Sequence, residues 1–152
     1  METTENKTTA MLLQLSAYAQ YIFPFGNFIL PVVIWSAKKD QSKFIDYNGK
    51  QAINFQLSLL IYTVVLIIIA APIFAYTIFN DIDFSISLTG RWHFDTESIR
   101  HAKISGLVML GIVAMVMTFV LKVAEFIIIL IAAIKNGNGE NYNFPLTIKF
   151  LK

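Results

Sequence analysis

Cysteine is absent from this chain of 152 residues, and charged residues are scarce. Without cysteine there can be no disulfide, no thiol nucleophile and no cysteine-ligated metal. Charged residues make up 14% of the chain, whereas soluble domains typically contain roughly a quarter. Hydrophobic residues account for 56%, and a soluble fold of this size would leave much of that apolar surface in water. The composition therefore predicts one integral membrane domain.

Strong net charge and familiar catalytic motifs are also missing. The formal net charge is +2, and no Lys- or Arg-rich stripe supports a nucleic-acid partner. The sequence contains no G-x-S-x-G, HExxH, P-loop or GxGxxG motif. We therefore expect a protein that is not an enzyme and that uses no cofactor.

Two histidines lie close to carboxylates in the middle of the chain. His93 and His101 flank Asp95 and Glu97, but their spacing matches no strong ligand pattern. We interpret them as exposed loop histidines and predict no metal site.

Two stretches are long and apolar enough for transmembrane helices. Residues 51–80 carry no charge, and residues 99–135 contain an uncharged run over 104–121. A membrane span needs about 20 residues, so each stretch is predicted to cross the bilayer once.

The apolar segment 9–37 is interrupted by residues that disrupt helices. Pro24, Gly26 and Asn27 break it once, and Pro31 interrupts it again. Two full spans would need about 40 residues, more than this segment contains. It is predicted to form either one broken span or a re-entrant hairpin.

The predicted fold is an all-α integral membrane domain with two long transmembrane helices and a Pro/Gly-broken N-terminal helical hairpin or broken span. In chain order the segments are a broken helical segment (9–37), a basic loop (38–50), a helix (51–80), an extracytoplasmic loop (81–98), a helix (99–135) and a tail (136–152).

The distribution of basic residues predicts the orientation. Residues 38–50 hold four lysines, whereas residues 81–103 hold three basic and four acidic side chains. Because cytoplasmic loops carry the excess of Lys and Arg, we predict that the basic loop and the C-terminus are cytoplasmic in a bacterial inner membrane. The central loop then lies outside, as a small β-hairpin or an irregular interfacial loop.

Lys122 and Glu125 are the sharpest polar feature of the second long helix. Three residues apart, they share a face and can pair. They lie about 20 and 15 Å from Lys135 by helical rise, inside the hydrocarbon layer, where ionisable groups suggest function. Two interpretations are open: a neutralised structural pair that fixes helix register, or a polar path for ions, protons or a translocating segment.

A polar stripe runs along the first long helix. Gln51, Asn54, Ser58 and Tyr62 are three or four residues apart and therefore share one face. Small and polar residues, including Gly111, Thr118 and Ala132, form a similar stripe around Glu125. We predict that the stripes face each other, with a hydrogen bond from Tyr62 or Ser58 to the Lys122–Glu125 pair.

Four groups of residues carry a resemblance to a known family. They are Pro24-Phe25-Gly26-Asn27 with Pro31 and Trp35, then Lys38-Lys39-Asp40, the motif Gly49, Lys50, Asn54, Phe55 and Gln56, and Gly139, Tyr142 and Pro145 of the tail. Together they resemble a family of small bacterial membrane proteins. That family is similar to the twenty-kilodalton membrane subunit of the chloroplast inner-envelope import translocon (Tic).

The resemblance implies four helical segments and a translocon-associated or channel-like role. We therefore expect an accessory or structural subunit of a larger membrane complex, linked to protein translocation or insertion. The alternative is a homo-oligomeric channel or carrier that uses Lys122 and Glu125. The expected partners are the lipid bilayer and either other membrane subunits or further copies of the chain. The amides Gln51, Asn54 and Gln56 are expected to pin the N-terminal hairpin.

Overall fold

The computed structural model describes residues 2–81 and 106–152, and these residues contain helices, turns and an extended tail but no strand. The helices are α1 (Thr4–Leu15), α2 (Gly26–Lys38), α3 (Lys43–Asp81) and α4 (Gly106–Asn138), with short 3-10 segments at Ser16–Tyr21 and Lys39–Gln41. The all-helical class with two long apolar helices is confirmed. The expectations for the central loop, including the β-hairpin and both histidines, lie outside the described residues.

The two long helices pass a length and hydropathy test for membrane spans, over Lys43–Ala75 and Met109–Asn138. Helix α3 begins at Lys43, whereas the sequence predicted a loop as far as residue 50. The reason is a cap: extended Ser42 accepts a hydrogen bond from the Phe44 amide at 3.0 Å. Asn48 and Gly49, a pair typical of a turn or a helix start, therefore lie in the helix interior.

The N-terminal segment is broken where the sequence predicted. α1 is capped by Thr3, whose hydroxyl accepts from the Asn6 amide at 3.2 Å, and the chain turns before α2 through Phe25 at φ 61°. Gly26 permits this turn, because a Cβ there would lie 2.4 Å from the carbonyl carbon of Ala19. Pro31, in contrast, lies inside α2.

The hairpin returns to the level at which it started. Its hydrogen bonds to α3 follow in chain order: Gln14 with Asn48, Asn27 with Gln56, and Trp35 with Asp46. The first and last contacts are therefore near the start of α3, and the middle one is two turns further along. Of the two alternatives left open by the sequence, the structure has the hairpin.

The described chain divides into two compact units, Met1–Tyr62 with Leu121–Lys152, and Thr63–Val120. The first unit contains the hairpin, the tail and the apolar core, whose buried members are Leu13, Ala17, Ala52, Phe55, Leu59, Ile129, Ala132 and Phe144. In the second unit the two long helices run antiparallel, and Gly111 of α4 faces Ile73 and Phe74 of α3.

Large apolar side chains are exposed on both long helices. Within the second unit they include Val65, Ile68, Val113 and Phe119, the last 70% exposed. In the first unit, Ile127 and Ile134 of α4 are also exposed. Apolar surface of this extent is unusual for a soluble monomer and is the surface that a bilayer solvates.

Candidate functional site

Lys122 and Glu125 form an ion pair within α4, with 2.8 Å between Nζ and Oε2. The Glu125 side chain is 1% exposed, whereas that of Lys122 is 44% exposed. The pair is therefore asymmetric: the carboxylate is enclosed by protein and the ammonium reaches the surface.

The third member of this group is Gln20, from the 3-10 segment at the hairpin tip. Its amide nitrogen donates to Glu125 Oε1 at 3.1 Å, and its oxygen accepts from Lys122 Nζ at 3.3 Å. Nearby, the Tyr18 hydroxyl donates to the Phe126 carbonyl at 2.7 Å. These bonds fasten the hairpin tip to α4.

The predicted hydrogen bond from Ser58 or Tyr62 to this pair is wrong. Leu59 and Tyr62 do line one small cleft with Glu125, but the polar atoms of Ser58 and Tyr62 bind elsewhere. The donor to Glu125 comes instead from Gln20, because the hairpin tip reaches α4 at this level.

The polar stripe of α3 binds the C-terminal tail. The contacts are Tyr62 hydroxyl to Leu146 carbonyl (2.8 Å), Ile148 amide to Ser58 Oγ (2.8 Å), Phe150 and Leu151 amides to Asn54 Oδ1 (3.1 and 2.8 Å), and Asn54 Nδ2 to Leu151 carbonyl (3.0 Å). The tail thus runs antiparallel to α3. Gln51, the remaining stripe residue, is half-buried.

The rise per residue of a helix and that of an extended chain explain why the polar stripe of α3 fits the tail. Four residues of helix rise about 6 Å, and two residues of extended chain advance about 6.6 Å. Side chains at every fourth helical position therefore meet every second residue of the tail. Backbone groups of a segment without strand partners need such side chains, because unpaired buried backbone groups are costly.

Four of the five motif residues of α3 contact either the hairpin or the tail. Gly49 lies against Trp35, where a Cβ would be 2.2 Å from the ring, and Gln56 accepts from Asn27 at 2.8 Å. Phe55 stacks on Phe144 of the tail with 4.5 Å between ring centroids. Of the expected amide pins, Gln56 therefore binds the hairpin, whereas Asn54 binds the tail.

Lys50, the other motif residue, stays on its own helix. It pairs with Asp46 at 2.7 Å, and Asp46 also accepts from the Trp35 indole at 3.0 Å. This group links the end of α2 to the first turns of α3.

A cluster of three fully buried amides, Gln14, Asn48 and Asn136, was not predicted as a site. Gln14 donates to the Asn136 side chain at 2.8 Å, and Asn136 donates to that of Asn48 at 2.8 Å. The cluster joins α1, α3 and α4. Gln14 could have indicated a buried polar contact, because it is an amide in an apolar helix. Asn48 and Asn136 gave no such indication, because each precedes a glycine and therefore resembles a turn residue.

The polar groups of these sites are engaged with one another. Across residues 2–75 and 109–152, every buried side-chain nitrogen and oxygen has a hydrogen-bond partner. The same residues contain no group of three or more His, Asp or Glu side chains arranged to hold a metal. The buried polar side chains of these sites thus hold segments of the chain to one another, as Gln14 does with Asn136 and Gln20 with Glu125.

A comparison with family models gives one match, over residues 5–151, to the MamF/MmsF model, described as the magnetosome magnetite crystal formation protein family. Comparisons with curated proteins and with solved structures gave no match. The resemblance to the Tic-related family is thereby corrected. Motif residues that carried this resemblance have structural roles, since they hold the hairpin and the tail against α3. Such roles do not distinguish one helical membrane family from another.

Proposed function

Because the chain belongs to the magnetosome magnetite crystal formation protein family, we propose that it is a non-enzymatic structural subunit of the magnetosome membrane that supports magnetite crystal formation. Membership of a magnetosome membrane family replaces the expected link to protein translocation. Within that membrane, the proposed role is that of an accessory component, which packs with partner subunits or with further copies of the chain.

One observation carries the structural role. The polar side chains buried in the first unit bind other segments of the same chain, as Gln20 binds Glu125 and Asn54 binds the tail. Apolar side chains dominate the outer faces of the long helices. In each unit, apolar side chains are thus available to lipid, whereas the buried polar side chains of the first unit bind other segments of the chain.

The orientation is part of the proposal. The lysine-rich segment between α2 and α3 and the C-terminal tail lie together in the first unit, which supports a common side for both. By the excess of positive charge, that side is the cytoplasmic one. Partner subunits, or further copies of the chain, would then pack on the lipid-exposed faces.

A channel or carrier that uses Lys122 and Glu125 is the second candidate. The half-exposed ammonium of Lys122 favours it. The enclosed carboxylate opposes it, because Glu125 is already neutralised by Lys122 and hydrogen bonded by Gln20. The structural role therefore has the stronger support.

The test uses a magnetosome-forming bacterium whose chromosomal copy is replaced by a tagged copy, a deletion or Glu125→Gln. We expect the tagged protein in the magnetosome membrane fraction together with stoichiometric partners, and altered crystal size in the deletion by electron microscopy. Unaltered crystals in the deletion, or absence of the protein from that fraction, would contradict the proposal. Loss of crystals with Glu125→Gln at normal protein abundance would favour the channel.

A further inference from the structure

An open cationic cleft lies where α2 meets α3, beside the Lys50–Asp46–Trp35 group and the end of the tail. Its lining residues are Trp35, Lys39, Asp40, Ser42, Lys43, Asp46, Lys50, Leu151 and Lys152. Four lysines thus face two aspartates, and the carboxylate of Glu2 lies at the edge, where it accepts from the Ser42 hydroxyl at 3.1 Å. Neither the hairpin contacts nor the tail contacts on α3 require this excess of positive charge.

Of the four lysines in the cleft, only Lys50 forms an ion pair within the described residues, with Asp46. Asp46 is occupied, because its two oxygens bind Lys50 and the Trp35 indole. Lys39 lies over the Trp35 ring, 5.1 Å from its centroid, and Lys43 is exposed. Within the described part of the chain, neither Lys39 nor Lys43 has a carboxylate within ion-pair distance.

The cleft adjoins an apolar surface that suits acyl chains. On α2, the helix that carries Trp35, the side chains of Ile29, Val32 and Val33 are exposed. Tryptophan is enriched at membrane interfaces, and lysines close to the membrane surface attract anionic headgroups. Charge and apolar surface are therefore arranged in the order in which a phospholipid presents them.

We propose that the cleft binds the phosphate of an anionic phospholipid, with Lys39 and Lys43 as its principal ligands and the acyl chains along the exposed face of α2. A free phosphate ion would use the lysines but would gain nothing from α2. The apolar face therefore selects the lipid as the source of the phosphate. This binding is independent of the role in crystal formation.

Native mass spectrometry of the full-length protein in detergent tests the proposal, with phosphatidylglycerol, phosphatidylcholine and inorganic phosphate as probes. We expect phosphatidylglycerol to bind at least about tenfold more tightly than either other probe. Because a lysine near the headgroups contributes about a factor of five, Lys39→Gln with Lys43→Gln is expected to weaken binding about 30-fold.

The matched control is Lys7→Gln with Lys149→Gln, which removes the same charge outside the cleft. We expect the control to change the dissociation constant by less than about threefold. Equal losses in the two double variants would overturn the proposal, since diffuse charge would then suffice. Equal affinity for phosphatidylcholine or for inorganic phosphate would overturn it as well.

Loss of Lys39 could disturb Trp35, so helix content is compared by circular dichroism. Lys43→Gln alone is the second variant, because Lys43 is exposed and forms no ion pair within the described residues. About a fivefold loss is expected for it. An unchanged affinity in that variant would contradict the proposed ligand set.

Discussion

Asn48 uses its side chain to join three segments of the first unit. Its oxygen accepts from Asn136 at 2.8 Å and from the Tyr142 amide at 3.0 Å. Its nitrogen donates to the Phe44 carbonyl and to Asn141, both at 2.9 Å. Because Asn48 is 0% exposed, water cannot replace a lost partner, and each unsatisfied group carries its full desolvation cost.

Asn48→Leu is expected to lower the free energy of unfolding by about 3 kcal/mol, because buried donors and acceptors around it lose their partner. Thermal unfolding in detergent, followed by circular dichroism, measures the change. The control is Asn143→Leu, at an exposed residue that accepts one hydrogen bond from Tyr47, with an expected loss below about 1 kcal/mol. Similar losses in both variants would contradict a central role for Asn48.

The Lys122–Glu125 pair differs from a surface ion pair through its buried carboxylate. Glu125→Gln removes the negative charge and leaves Lys122 without its 2.8 Å partner. We expect a loss of about 2 kcal/mol in unfolding free energy, below the range for fully buried pairs because Lys122 is half-exposed. The same thermal measurement applies.

The control for this prediction is Glu140→Gln, which breaks the exposed Lys135–Glu140 pair of 3.6 Å. Exposed pairs contribute little, so the expected loss is below about 0.5 kcal/mol. Lys122→Met combined with Glu125→Gln should recover much of the stability lost in Glu125→Gln, because the double variant no longer contains the unpaired positive charge of Lys122. A double variant that is no more stable than Glu125→Gln would contradict the pairing as the cause.

At the scale of elements, the tail depends on the polar stripe of α3. Asn54 alone makes three hydrogen bonds to Phe150 and Leu151. Asn54→Leu is therefore expected to release the tail, at a cost of about 2 kcal/mol for the lost bonds. Trypsin cleavage after Lys149, followed by mass spectrometry, should become about 30-fold faster if it proceeds through the opened tail.

Thr147→Val is the control for Asn54→Leu, because the Thr147 hydroxyl bonds only within the tail, to the Pro145 carbonyl at 3.3 Å. Its cleavage rate should match that of the unmodified protein. Unchanged cleavage in Asn54→Leu would show that the stripe does not hold the tail.

The sequence predicts elements better than it predicts their partners. The length of the uncharged stretches was enough to predict that α3 and α4 are helices. Pro24 and Gly26 were enough to predict where the hairpin breaks. The partner of the α3 stripe was missed, because the tail is short, has no periodic pattern and takes its hydrogen bonds from side chains. Asn48-Gly49 is typical of a turn or a helix start, yet it lies inside α3. Gly49 fits there against the Trp35 ring, and local propensity does not contain that contact.

For the molecule as a whole, the decisive feature is that the N-terminal segment folds back. The ends of the hairpin meet the first turns of α3 through Gln14 and Trp35, and its tip meets α4 through Gln20. In the proposed arrangement, α3 and α4 cross the bilayer and the hairpin does not. We therefore expect the N-terminus, the lysine-rich turn and the tail on one side of the membrane.

Single-cysteine labelling tests this topology most directly, because the chain contains no cysteine of its own. Thr4→Cys, Asp40→Cys, Glu140→Cys and His93→Cys are each treated with a membrane-impermeant maleimide in right-side-out and everted vesicles. We expect positions 4, 40 and 140 to react from the same face and position 93 from the opposite face. Reaction of positions 4 and 40 from opposite faces would contradict the re-entrant hairpin.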